Sequence, residues 1–124
     1  MGNSLNNKSK LLYKDIEQYI HVEKLYLDPP ISLQTIADKF NVSSSYMSKL
    51  INKSSKCNFN DLINNLRIEA AKKMLLDKCF NQYTIHAIAL EAGFKTKASF
   101  YSAFKKFTGT TPTAYIKQKN VSRI

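Results

Sequence analysis

The chain repeats itself. Ser32, Ile36, Ala37, Asn41 and Val42 match Thr84, Ile88, Ala89, Gly93 and Phe94 at an offset of 52 residues. Further on the offset becomes 53: Met47, Ile51, Lys53 and Ile63 match Phe100, Phe104, Lys106 and Ile116. A pattern that recurs within 124 residues restricts the fold to arrangements built from two copies of one supersecondary unit. The change of offset places one extra residue at the start of the second copy's second helix.

Each copy reads as two short helices joined by a tight turn. In the first, Ser32 is the expected N-cap, and Leu33, Ile36, Ala37 and Phe40 fall at i, i+3, i+4 and i+7, one apolar stripe. Asn41-Val42-Ser43 is the turn, with Asn41 suited to the left-handed conformation. A second helix from near Ser44 to about Lys53 buries Met47, Leu50 and Ile51. In the second copy Thr84 caps, Ile85, Ile88, Ala89 and Ala92 form the stripe, and Gly93 turns the chain. Thr96 to Phe107 is the next helix, buried through Phe100, Phe104 and Phe107. Gly109 ends it, and TPTAYIK opens a last helix with Pro112 in its first turn.

Two further helices frame the copies. From Lys8 to about Tyr26, Leu12, Ile16 and Ile20 recur every four residues until Asp28-Pro29-Pro30 stops the helix. Between the copies, about Asn60 to Leu76 reads as a longer helix burying Leu62, Ile63, Leu66, Ala70, Met74 and Leu75, followed by the connector DKCFNQY. The expectation is an all-α fold of seven helices. Residues 1–7 are a frayed polar stretch, 8–59 a first lobe, 60–76 a linker helix and 77–124 a second lobe.

Charge narrows the function. Lys and Arg number 19 against 9 acids, for a net charge of +10, and residues 93–124 hold seven basic residues and no acid. A field of one sign attracts polyanions. No apolar run approaches the roughly 20 residues that span a bilayer, and MGNSLN departs from a myristoylation signal at Asn6. A cytoplasmic location is expected. Cys57 and Cys79 stand far from any second ligand and are expected to pack as isolated thiols; His21 and His86 are likewise single. GxSxG, Walker-loop, paired-acid and metal-cluster patterns are missing from the sequence, so neither an enzyme nor a cofactor is expected.

The outward faces of the two second helices supply the chemistry. Subtracting the apolar stripe from the helix at Ser44 leaves Ser44, Ser45, Ser48, Lys49, Asn52 and Lys53; from the helix at Thr96 it leaves Lys97, Ala98, Tyr101, Ser102 and Lys105. Short hydroxyls permit close approach, lysine suits guanine O6 and N7 or a phosphate, and an alanine meets a thymine methyl. Two readings are open. In one, these helices enter DNA major grooves; in the other, a basic helical module binds an acidic protein or a membrane surface, with Tyr101 and Tyr115 as anchors.

TIHAIALEAGFKTKASFYSAFKKFTGTTPTAYIK resembles the signature of the AraC/XylS family of bacterial transcription regulators. It carries an IA pair, a GF turn, an F-x-x-x-F-K-K helix and a G-x-T-P-x-x-Y ending. ISLQTIADKFNVSSSYMSKLINK with NLRIEAAKKML resembles that family's first reading head and linker helix, so the likeness covers about residues 30 to 117. It implies a seven-helix double helix–turn–helix fold with homeodomain-like lobes, whose reading helices enter successive major grooves. It further implies sequence-specific binding of double-stranded DNA by a monomer at an asymmetric site, regulation of transcription, and RNA polymerase as a further partner.

Carried over by position, Ser45, Ser48 and Lys49 face bases in the first head, and Lys97, Ala98 and Ser102 in the second. Ser44, Lys53, Thr96, Tyr101 and Lys105 lie nearer phosphates. The chain departs from the family at Lys56, where glycine is usual, at Ser102, where arginine is frequent, and at Ala98, where serine is frequent. Members commonly attach this module to a sensing or dimerising domain. A cut-out domain and a short stand-alone regulator both fit the sequence.

Overall fold

The structure, a computed structural model, describes residues 7–119. Its helices are α1 (Asn7–Val22), α2 (Leu33–Lys39), α3 (Ser44–Ser55), α4 (Phe59–Leu76), α5 (Ile85–Glu91), α6 (Lys97–Thr108) and α7 (Pro112–Gln118). The described residues contain no strand. The expectation for residues 1–7 lies outside the described residues except at Asn7, which opens α1.

Five of these helices start after hydroxyl caps, because the first amides of a helix have no intrahelical acceptor. Ser32 Oγ accepts from the Thr35 amide at 3.1 Å and Ser43 Oγ from the Tyr46 amide at 3.0 Å, opening α2 and α3. Thr84, Thr96 and Thr111 do the same for α5, α6 and α7.

The repeat holds down to single hydrogen bonds. Asn41 (φ 55°) and Gly93 (φ 102°) follow α2 and α5 in the left-handed region. The Val42 amide then donates to Ala37 O at 3.1 Å, and the Phe94 amide to Ala89 O at 3.0 Å. The extra residue of the second copy is Lys95, which lies in the turn between Phe94 and the Thr96 cap rather than in the helix. At the far end, Ser55 Oγ donates to Ile51 O at 2.7 Å and accepts from the Cys57 amide at 3.3 Å. Thr108 Oγ1 repeats this with Phe104 O at 2.6 Å and the Thr110 amide at 3.2 Å.

Each hydroxyl brackets a left-handed residue, Lys56 (φ 63°) in the first copy and Gly109 (φ 79°) in the second. A lysine in that conformation carries a steric cost of about 1 kcal/mol that glycine avoids. Lys56→Gly is therefore expected to stabilise the protein by about 0.5–1 kcal/mol, seen as a higher urea midpoint at unchanged slope. A lowered midpoint would show that the lysine side chain contributes more than its backbone costs.

The chain divides into two compact units, Met1–Ile63 and Asn64–Ile124, so the boundary falls inside α4. In the first, Ile16, Ile20, Ile36, Ala37, Met47, Leu50, Ile51 and Ile63 are buried. The second has a core of Ile68, Ala71, Leu75, Ile88, Ala89, Ala92, Phe94, Phe100, Ala103, Phe104 and Tyr115. Its aromatic rings meet edge to face: Phe104 lies 5.6 Å from Phe100 and 5.5 Å from Tyr115.

Four expectations are revised. Helix α1 ends at Val22, not Tyr26, because Lys24 turns left-handed (φ 50°) and Leu25–Leu27 form a 3-10 turn. In α4 only Ile63 and Leu75 of the six expected residues are buried, while Ile68 and Ala71 are buried instead. Each lobe takes its own residues from this helix, so no single stripe runs its length. Phe107 is half-buried. Cys79 is exposed on a turn capped by the Asp77 carboxylate, whereas Cys57 is half-buried beside Ser55. Burial pushes the Tyr13 phenol of α1 above its ordinary pKa, with the charges of Glu17 and Cys57 adding and a side-chain hydrogen bond with Ser55 opposing.

Candidate nucleic-acid interface

Helices α3 and α6 are each twelve residues long, and neither contains an acidic residue. Their buried sides are set by Met47, Leu50 and Ile51 in α3 and by Phe100, Ala103 and Phe104 in α6. This fixes which side faces out. On α3, Ser45, Lys49 and Lys53 are exposed and Ser44 and Ser48 half-buried; on α6, Lys97, Ala98, Ser102 and Lys105 are exposed and Tyr101 half-buried. None of these residues belongs to the buried stripe of its own helix.

Both faces are indented. Leu33, Ser44, Ser45, Ser48 and Lys49 line a shallow depression of about 410 Å³ along α3. Lys97, Ala98 and Tyr101 line one of about 360 Å³ on α6. The repeat makes Ser44 equivalent to Lys97, Ser45 to Ala98, Ser48 to Tyr101 and Lys49 to Ser102, each 53 residues apart. The Tyr101 ring lies edge-on to Phe100 at 5.9 Å, and Lys97 Nζ sits 5.5 Å from the Tyr101 ring centroid. The tyrosine thus props the lysine at the start of the helix.

Two hydroxyls are already committed inside the protein. Thr96 Oγ1 accepts from the Ser99 amide and donates to Ser99 Oγ, both at 3.0 Å. Ser44 Oγ donates to Gln34 Oε1 at 3.0 Å, and Gln34 Nε2 donates to Asp38 Oδ1 at 2.7 Å. Neither hydroxyl keeps its proton for a phosphate oxygen. Gln34 and Asp38 carry no mark in the sequence that sets them apart. Their i, i+4 spacing on α2 is the only available signal, and that spacing is common on any solvated helix face.

A family model described as a helix-turn-helix domain matches residues 36–118, more than half of the chain. The chain belongs to the AraC-type helix-turn-helix family. An uncharacterised HTH-type transcriptional regulator of Staphylococcus aureus (strain COL) is 34% identical over 110 residues, which are 89% of this chain and 14% of that protein. This AraC-type domain thus spans a small part of that relative's length. The C-terminal domain of AraT, a response regulator from Geobacillus stearothermophilus, superposes with a TM-score of 0.76 at 31% identity, covering 88% of this chain and 86% of that one. A Chromobacterium violaceum transcriptional regulator, one of the AraC-type DNA-binding domain-containing proteins, matches at TM-score 0.67 and 22% identity over 79% of this chain and 87% of its own. That likeness bears on the fold alone. Among the described residues, seven α-helices in the double helix–turn–helix arrangement agree with the architecture expected from sequence.

Proposed function

We propose that this AraC-type domain binds double-stranded DNA sequence-specifically, each lobe laying its second helix in a major groove, and that it regulates transcription by doing so. One observation carries the reading: α3 and α6 are equivalent helices without a carboxylate, each exposing lysine and small side chains beside an open depression. That combination suits a groove-entering helix, because phosphates attract lysines and small side chains let the backbone approach the base edges.

Ser45, Ser48 and Lys49 face bases in the first half-site, and Lys97, Ala98 and Ser102 in the second. Lys53, Tyr101 and Lys105 contact phosphates, a share from which the committed hydroxyls of Ser44 and Thr96 drop out. The work is binding rather than catalysis, and it takes place in the cytoplasm with RNA polymerase as the partner downstream. No helix of the described residues is long and apolar enough to cross a membrane.

Ser102 stands exposed where an arginine is frequent in the family, so the second head lacks the strongest bidentate guanine reader. Ser102→Arg is expected to add a guanine preference at one base pair of the α6 half-site, worth about 1–3 kcal/mol. Binding sites selected from a random duplex library test this. An unchanged sequence preference would remove Ser102 from the reading face.

A further inference from the structure

The geometry points to Ser44 as a hydrogen-bond acceptor that selects an amino-bearing base, adenine or cytosine, in the first half-site. This inference rests on the proposed entry of α3 into the major groove. It follows from the direction of a three-residue chain across the helix–turn–helix. An ionised carboxylate only accepts, so the end of the Gln34 amide lying 2.7 Å from Asp38 Oδ1 is its NH₂ group. The amide oxygen is thereby turned toward α3, where it lies 3.0 Å from Ser44 Oγ. An amide oxygen also only accepts, so Ser44 gives it the one proton it has.

What Ser44 retains is lone pairs, at the edge of a depression it lines with Ser45, Ser48 and Lys49. A phosphate oxygen is itself an acceptor and has nothing to offer such an atom. In the major groove the donors are adenine N6 and cytosine N4, while guanine presents O6 and N7 and thymine O4. Asp38 thus sets the hydrogen-bonding polarity of a reading position through Gln34, without reaching the DNA.

The second lobe gives the contrast. There the positions of Gln34, Asp38 and Ser44 are taken by His86, Leu90 and Lys97. Leu90 is 45% exposed and offers no acceptor with which to begin such a chain. Lys97 has donors only, so it seeks guanine or a phosphate. One position of the motif therefore has opposite requirements in the two half-sites.

Selection of bound sites from a random duplex library, run with wild type, Ser44→Ala, Ser44→Thr and Asp38→Ala, tests the assignment. Wild type and Ser44→Thr are expected to prefer adenine or cytosine at one base pair of the α3 half-site. Ser44→Ala is expected to lose roughly fivefold of that preference, the low end for one base contact, with the other positions intact. Asp38→Ala frees the Gln34 amide to rotate and is expected to broaden the same base pair to include guanine or thymine at retained affinity. A purely structural role for Asp38 would weaken all sites alike. Asp38 is exposed and Ser44 only half-buried, and matching melting curves establish that the variants fold. A defined wild-type site that is indifferent to Ser44, or that prefers guanine or thymine there, overturns this inference alone. Failure of the wild-type chain to select any duplex overturns the DNA-binding proposal with it.

Discussion

Replacing Lys49 and Lys97 together by alanine is expected to weaken specific duplex binding by about 2–4 kcal/mol, on the order of 30- to 1,000-fold. Each is an exposed lysine on a helix with no carboxylate, one in each lobe. A lysine reading guanine or a phosphate contributes about 1–2 kcal/mol, toward the low end for a base pairing of this kind. The two share no partner, so their losses should add. Lys53→Ala with Lys105→Ala is the informative control. If these lysines neutralise phosphates, affinity falls for all sequences, and the slope of log K against log salt shrinks by roughly 0.9 for each phosphate left without its lysine. Titration of a selected duplex at several salt concentrations reads both effects. Wild-type affinity in the Lys49/Lys97 double variant would move the interface off α3 and α6, and would favour the alternative of a basic module that binds an acidic protein or membrane surface.

The largest loss of stability is expected from Phe104→Ala, about 3–5 kcal/mol. Phe104 is fully buried and joins Phe100, on its own helix, to Tyr115 of α7 through two edge-to-face contacts. Its removal takes away a large apolar surface and leaves a cavity that the surrounding rings only partly fill. Domains of this size hold only about 5–15 kcal/mol in total, so the second lobe should be largely unfolded near its wild-type melting range. Thermal and urea denaturation followed by circular dichroism measure it. A loss below about 1 kcal/mol would mean that α6 does not present this side to the core, and its outward face would then be wrongly assigned. The equivalent in the first lobe is Ile51, also fully buried, whose smaller side chain sets a loss of about 2–5 kcal/mol on truncation to alanine.

The repeat makes most of this fold legible. Aligning the copies brings out the capping hydroxyls, the left-handed Asn41 and Gly93, and the glycine-like role of Lys56, which no propensity argument would assign to a lysine. Position-by-position comparison also shows Ser48 and Tyr101 to be equivalent, although the proposal gives one to bases and the other to phosphates. Other features are hidden for physical reasons. The end of α1 carries no glycine, so the turn at Lys24 leaves no mark before the prolines. Helix α4 gives Ile63 to one lobe and Ile68, Ala71 and Leu75 to the next core, and a helix divided in this way shows no single stripe. The chain from Asp38 through Gln34 to Ser44 crosses between helices, and its direction depends on which end of an amide meets a carboxylate. Sequence spacing does not encode that.

Guanine-N7 methylation interference on a selected duplex, repeated with lobe-specific variants, bears most directly on whether two heads each read a groove. Two separate clusters of major-groove contacts are expected in wild type, with Lys49→Ala erasing interference in one cluster and Lys97→Ala in the other. A single cluster affected by both substitutions, or interference confined to positions that neither substitution changes, would contradict a two-headed reading of the duplex.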